Sequence, residues 1–374
     1  MLNDIASNTS FFGIFITGVV YVLACAIQKR FKSSILNPLL VSCVILIIFM
    51  LVSGIDYNVY LYGKPKADGT YDGTGAIFFQ NMLTPTTVCL AIPLYEKLVY
   101  LKKYPVAIIG GMVMLMGLFL LWNAVGTLTI SELYEAAKAC PRKGTIWAAS
   151  ICILFGFGAK AGMFPLHIWL PKAHPVAPAP ASAVLSGVIT KAGVLAVLRV
   201  IYYLVGADVL RGTWVQKGFM TLTLITVFMG SMLAYREPLI KKRLAYSTVS
   251  QVSYVLFGLA CMVPTAFEGA MLHVVAHSVI KDALFLCAGA FIHQTGKTYV
   301  RDLRGIGKEM PITTWCWTIA SLGLIGIPPT GGFVSKWELA TGSLQTGLAG
   351  FDVIGPVILI VSALLTAAYL PPML

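Results

Sequence analysis

An all-α polytopic membrane protein is the fold class this sequence predicts, with about 10–11 transmembrane helices at roughly 20 apolar residues per crossing. Two of the spans are expected to be discontinuous, one near Pro165 and one near Pro328. Three observations predict this class. Hydrophobic residues fill 58% of the 374 positions and charged residues only 11%, with a mean hydropathy of +0.83, far from the balance of water-soluble domains. The apolar residues come in runs long enough to cross a bilayer. The charged residues collect between the runs, in loops that alternate in basic content.

In chain order the spans are expected at 10–27, 35–54, 81–96, 105–125, 144–170, 181–204, 215–235, 245–263, 267–293, 312–345 and 354–374. The first is followed by QKRFK rather than a small-residue cleavage site, so it is a retained span and not a signal peptide. The third is short and marked by prolines, which suits a re-entrant segment. In the fifth, Pro165 removes a backbone donor and crowds the preceding turn. In the tenth, Pro328 and Pro329 are followed by Gly331 and Gly332. Broken helices persist inside a membrane only where protein or water satisfies the freed backbone groups.

The loops set an orientation. Lys29, Arg30, Lys32, Lys97, Lys102, Lys103, Lys172, Arg236, Lys241, Lys242, Arg243, Lys297, Arg301, Arg304 and Lys308 fall on one side if every span crosses. That side is predicted to be cytoplasmic, with the amino terminus outside. The opposite loops hold fewer basic residues and the acids Asp56, Asp68 and Asp72. The net charge of +12 therefore belongs to membrane-flanking loops, and no nucleic-acid partner is expected. Seven of the eight cysteines lie within apolar spans and no CxxC occurs. They are expected to behave as small hydrophobes, with no disulfide framework and no iron–sulfur or zinc site.

Four lysines, Lys160, Lys191, Lys281 and Lys336, sit near the middle of apolar segments. A charge at the bilayer centre costs at least roughly 2.5–3.5 kcal/mol, so such residues mark hydrated, protein-lined paths for ions or protons. Lys160 lies five residues before Pro165, and Lys336 follows the second break. Lys191 has only Ser186 and Thr190 as polar neighbours in sequence. His273, His277 and Lys281 recur at i, i+4 and i+8, which places them on one helical stripe, the geometry of a relay. The HVVAH spacing lacks the glutamate of a metalloprotease motif and a third ligand, so no metal is expected there. His167 and His174 are expected to be ordinary interfacial residues, and Glu96 a loop anchor. No phosphate loop, hydrolase triad or dinucleotide fingerprint occurs, and no cofactor is expected.

Around residue 111 the character of the chain changes: all four central lysines come later. Residues 1–112, through QKRFKSSILNPLL and LTPTTVCLAIPLY, resemble the LrgB family. Those are bacterial inner-membrane proteins associated with holin-like control of murein hydrolases and, in some members, with small carboxylate transport. Residues 113–374 carry FGFGAKAGMFPLHIWLPKAHPVAPAPASAVLSGVITKAGVLAVLR, KKRLAYSTVSQVSYVLFGL, LHVVAHSVIKDALFLCAGA and GLIGIPPTGGFVSKWEL, in that order. They resemble the antiporter-like subunits shared by respiratory complex I, membrane-bound hydrogenases and multisubunit Na+/H+ antiporters, most closely the antiporter's D-type component.

That resemblance implies a subunit that moves protons or sodium inside a larger complex, with other membrane subunits and the bilayer as partners, in a bacterial inner membrane. It implies no catalytic chemistry of the chain's own, although the complex could be an NADH:quinone oxidoreductase. It assigns Lys160 as central switch, Lys191, His273, His277 and Lys281 as relay, and Lys336 as exit. It also implies that the junction near GGMVMLMG omits the family's first five spans, with the glutamate that partners Lys160, so that transport by the isolated chain is expected to be weak. The alternatives are a regulator or carboxylate carrier of LrgB type, and an inactive fusion.

Overall fold

The computed structural model describes residues 9, 11–31, 38–66, 70–78 and 105–370. The expected span at 81–96 and Glu96 lie outside them. The described chain is helical, with only two isolated bridges, Pro65 with Tyr71 and Leu239 with Tyr299. It divides into two compact units, Met1–Lys103 and Tyr104–Leu374.

In the first unit, α1 (Phe12–Phe31) packs against α2 (Pro38–Ser53) and the short α3 (Tyr57–Tyr62). Asp56 caps α3 by accepting from the Asn58 N–H at 2.9 Å. Thr17 and Tyr60 share a hydroxyl hydrogen bond of 2.8 Å between α1 and α3. In the loop that follows, one oxygen of Asp72 accepts from the Lys64 and Thr74 backbones and from the Thr74 hydroxyl.

The second unit runs through α4 (Pro105–Val125), α5 (Ile130–Ala139), α6 (Lys143–Ala161), α7 (Trp169–Val176) and α8, the continuous run Ala179–Leu204. It continues through α9 (Trp214–Arg236), α10 (Ile240–Cys261), α11 (Pro264–Thr295), α12 (Pro311–Ile325), α13 (Gly331–Leu344) and α14 (Phe351–Tyr369). Among the described residues six helical runs are long and apolar enough to cross a membrane, or seven if the bent pair α4 and α5 is one span. Three shorter apolar helices, 12–27, 41–53 and 311–325, join them.

Both expected breaks are present. At the first, α6 closes on Gly162, whose φ of +90° suits a residue without a side chain. The groups freed there find partners: the Phe164 N–H donates to the Thr226 hydroxyl at 3.0 Å, and the Trp169 indole donates to the Ala159 carbonyl at 2.9 Å. The expected span at 312–345 is two helices, α12 and α13, separated by the prolines.

Helix α10 is the post of the unit. Its sequence, AYSTVSQVSYVLFGL, has small or hydroxyl residues on every side, so neighbours can approach all round. It packs against α6, α7, α8, α9, α11, α13 and α14, and every residue from Ser247 to Cys261 is buried. Two apolar cores result. One gathers Val252 and Leu256–Cys261 with Ala266 and Ala270; the other gathers Ile240 and Leu244 with Leu284, Phe285 and Phe291. Between them, at mid-length of α10 and α11, lies a buried polar layer of Ser247, Thr248, Ser250, Gln251, His273, His277 and Lys281.

Candidate functional site

The polar layer is built by helix periodicity. His273 and His277, one turn apart on α11, both face α10, and their rings stack with centroids 6.0 Å apart. His277 Nδ1 lies 2.7 Å from Lys191 Nζ on α8, which also donates to the Ser186 carbonyl at 2.5 Å. His273 is clamped from both sides: its Nε2 is 3.0 Å from Gln251 Oε1 on α10, and its Nδ1 is 2.9 Å from the Ser335 hydroxyl on α13. An amide oxygen only accepts, so Nε2 carries the proton and Nδ1 accepts from Ser335.

Tyr254 continues the line. Its ring stacks on His273 at 5.6 Å, and Lys336 Nζ sits 5.2 Å from the centre of the same ring. The Tyr254 hydroxyl donates away from the line, to the Leu359 carbonyl at 2.8 Å. Lys336 donates to the Leu324 and Ile325 carbonyls at 2.6 and 2.9 Å, the open end of α12, where a cation is favoured by the helix dipole. Lys191, His277, His273, Tyr254 and Lys336 thus form one row through α8, α11, α10 and α13.

Lys281 belongs to the layer but not to the row. It is fully buried and donates to the Leu244 carbonyl at 3.0 Å and to the Ser247 hydroxyl. Lys160 is the outlier among the predicted site residues. It stands in the last turn of α6, its side chain exposed and without a hydrogen bond or ion pair among the described residues. Only its backbone approaches the layer: a Cβ on Gly193 of α8 would fall 2.7 Å from the Ala161 nitrogen and 3.1 Å from the Lys160 carbonyl carbon.

The interfacial expectation for His167 and His174 is corrected. Both are buried, His174 completely, with its ring stacked 4.5 Å from that of Phe285. The cause is α7, which turns inward after the break and packs on α10. Sequence reasoning also missed Gln251 and Tyr254, whose signal was faint within a helix already rich in hydroxyls. It missed Asp282 as well, a carboxylate within Coulombic range of Lys191.

The model of the membrane region of NADH:quinone oxidoreductase and Mrp antiporters matches residues 101–365, more than half of the chain. The chain belongs to this family. The LrgB-like family model matches residues 17–139, so both amino- and carboxy-terminal resemblances hold and the two matches overlap. NADH-quinone oxidoreductase subunit N of Desulforudis audaxviator is 31% identical over 361 residues, covering 90% of this chain and 70% of the relative. The D-type component of the Na(+)/H(+) antiporter of Bacillus subtilis is 30% identical over 276 residues, covering 72% of this chain. The chain spans only 55% of that relative's length. The Mrp complex from Dietzia sp. DQ12-45-1b shares the fold, with a TM-score of 0.64 at 23% identity over 96% of this chain and 64% of the matched chain.

Proposed function

We propose that the chain is a proton- or sodium-translocating membrane subunit working inside a larger assembly, through the row Lys191, His277, His273 and Lys336. The observation that carries this is the row itself: two buried histidines and two half-buried lysines from three helices lie in a line joined by hydrogen-bond, ring-stacking and cation–ring contacts. Histidine passes protons because each ring nitrogen can accept while the other donates. Lys191 hands its proton to His277 Nδ1, and His277 releases one from Nε2; His273, whose Nε2–H stays on Gln251, takes a proton up at Nδ1 when the Ser335 hydroxyl turns to the Gly332 carbonyl, its other acceptor at 3.2 Å. The Tyr254 hydroxyl is committed to Leu359, so its ring serves as a seat for the Lys336 ammonium rather than as a carrier. Lys281 supplies positive charge beside the row without joining it. Lys160, which family resemblance assigns as central switch, stands outside the row with its side chain exposed.

Residues 113–374 provide this antiporter-like part and residues 1–112 the LrgB-like part. The assembly sits in a bacterial plasma membrane with the basic loops inside and the amino terminus outside, supported by the loop charges. Vesicles holding the complete assembly test the proposal by their dissipation of an imposed pH or sodium gradient. His277→Ala is expected to slow it on the order of a hundredfold, the scale of a lost proton-transfer group. Undiminished flux would sink the row as a pathway. The match at residues 17–139 favours a second role for the amino-terminal unit, in murein hydrolase control. Unaltered timing of autolysis on deletion of the gene would remove it.

A further inference from the structure

Lys191 and Asp282 lie within Coulombic range of each other at a seam between two apolar outer surfaces. On α8 the exposed stripe is Val184, Val188 and Leu195; on α11 it is Leu272, Val275, Val279 and Leu286. Both charged residues are half-buried where these stripes adjoin. A lone charge at such a place is costly, and a pair of opposite sign is much less so.

The carboxylate of Asp282 rests directly on Gly187. A Cβ at that glycine would collide with Oδ1 and fall 2.7 Å from Cγ, so no other residue leaves room for it. Gly187 lies within the π-turn Leu185–Ile189, four residues before Lys191 and on the same face of α8. Helical side chains lean toward the amino terminus of their helix. The Lys191 stem therefore leans toward Gly187, and its amine already reaches the Ser186 carbonyl next door. The amine faces His277 on one side and Asp282 on the other. It is hydrogen-bonded to His277, while Asp282 Oδ1 is buried and makes no hydrogen bond among the described residues.

We infer that Asp282 is a second seat for the Lys191 ammonium, so that the side chain alternates between the His277 ring nitrogen and the Asp282 carboxylate. On Asp282 the ammonium is withdrawn from the row; on His277 it is in line to transfer. Asp282 is thereby a positioning residue, and it gates the inner row from the outer seam. The charged and titratable groups around this site are His277, His273 and Lys281 on α11, with Lys191 on α8. Gly187 is part of the same device, because any side chain there displaces the carboxylate.

This rests on the proposed function, and its test reads pairing and transport separately in the complete assembly. Dicyclohexylcarbodiimide modifies protonated carboxyls in apolar surroundings, and its adduct on Asp282 is quantified by mass spectrometry. Lys191→Met is expected to raise that adduct about tenfold, a typical strength of coupling between two groups, because the carboxyl loses its counter-ion. Asp282→Asn is expected to slow gradient dissipation about tenfold on the same scale, with Asp282→Glu restoring most of it. An adduct indifferent to Lys191→Met overturns the inference, and so does an Asp282→Asn assembly that transports normally. If the Asn variant fails to assemble, the adduct measurement and the Glu variant decide. An unmodified assembly that moves no ions while the adduct still responds removes the proposed function and leaves the pairing intact.

Discussion

The two helix breaks of the second unit have nearly the same sequence logic, a lysine beside a proline within an apolar span, and opposite outcomes. Lys336 is drawn into the structure, with its amine on the open carbonyls of α12 and over the face of Tyr254. Lys160 is exposed and hydrogen-bonds to none of the described residues. The difference follows from which side of the break each lysine occupies. Side chains on a helix lean toward its amino terminus. Lys336 comes after its break, in the second turn of α13, so it leans back onto the gap and meets the carbonyls that the gap frees. Lys160 comes before its break, in the last turn of α6, so it leans away over its own helix. The first gap is closed instead by Thr226 and Trp169.

The sharpest way to break this comparison is to remove both lysines in turn and measure thermal unfolding of the purified assembly. Lys336→Ala is expected to destabilise it by about 2–4 kcal/mol, since two charge-assisted hydrogen bonds of roughly 1.5–3 kcal/mol each are lost and the burial of an ammonium is relieved. Lys160→Ala is expected to change stability by less than about 0.5 kcal/mol, as for an exposed residue. Equal effects would show that the lean of the side chain does not decide which lysine is used.

A smaller effect probes the first gap. Thr226→Val leaves the Phe164 N–H without its acceptor and should cost about 1–2 kcal/mol, with Thr226→Ser restoring stability. A neutral Val variant would mean that the gap is held by Trp169 alone. The smallest effect separates ring from hydroxyl at Tyr254. Tyr254→Phe removes the hydrogen bond to Leu359 at about 1 kcal/mol, but keeps the face on which Lys336 rests. Gradient dissipation by that variant should stay within about twofold of the original; a loss as large as that of His277→Ala, on the order of a hundredfold, would place the hydroxyl in the row.

Much of the site was legible in the sequence because a lysine or histidine among apolar residues stands out by cost alone. The i, i+4 spacing of His273 and His277 gave their common face directly, and Pro165 and the pair Pro328–Pro329 marked real gaps. What stayed hidden depended on neighbours brought by other helices. Lys281 and Asp282 are adjacent in sequence but about 100° apart around α11, so one enters the polar layer and the other meets α8. His174 lies two residues after a lysine and directly before a proline, the signature of a loop, yet α7 folds back and buries it on Phe285. Gln251 and Tyr254 matter only because His273 lies opposite. For Lys160 the sequence located the charge and the break, but not the side of the break from which a side chain can reach it.

Serines from three helices meet at one point on α10: Ser250 lies 2.8 Å from Ser231 of α9 and 3.2 Å from Ser362 of α14, which are 2.5 Å from each other. A helix fastened in this way and enclosed on every side cannot slide or rotate without carrying its neighbours along. It is the fixed frame of the unit, in the way a spindle is fixed within a lock. The backbone departs from regular helix in the short stretches 162–168 and 326–330, where the neighbouring rods are jointed. Movement that leaves the spindle in place is expected at such joints, and the two lysines mark them: one reaches across its joint, the other stands clear of it.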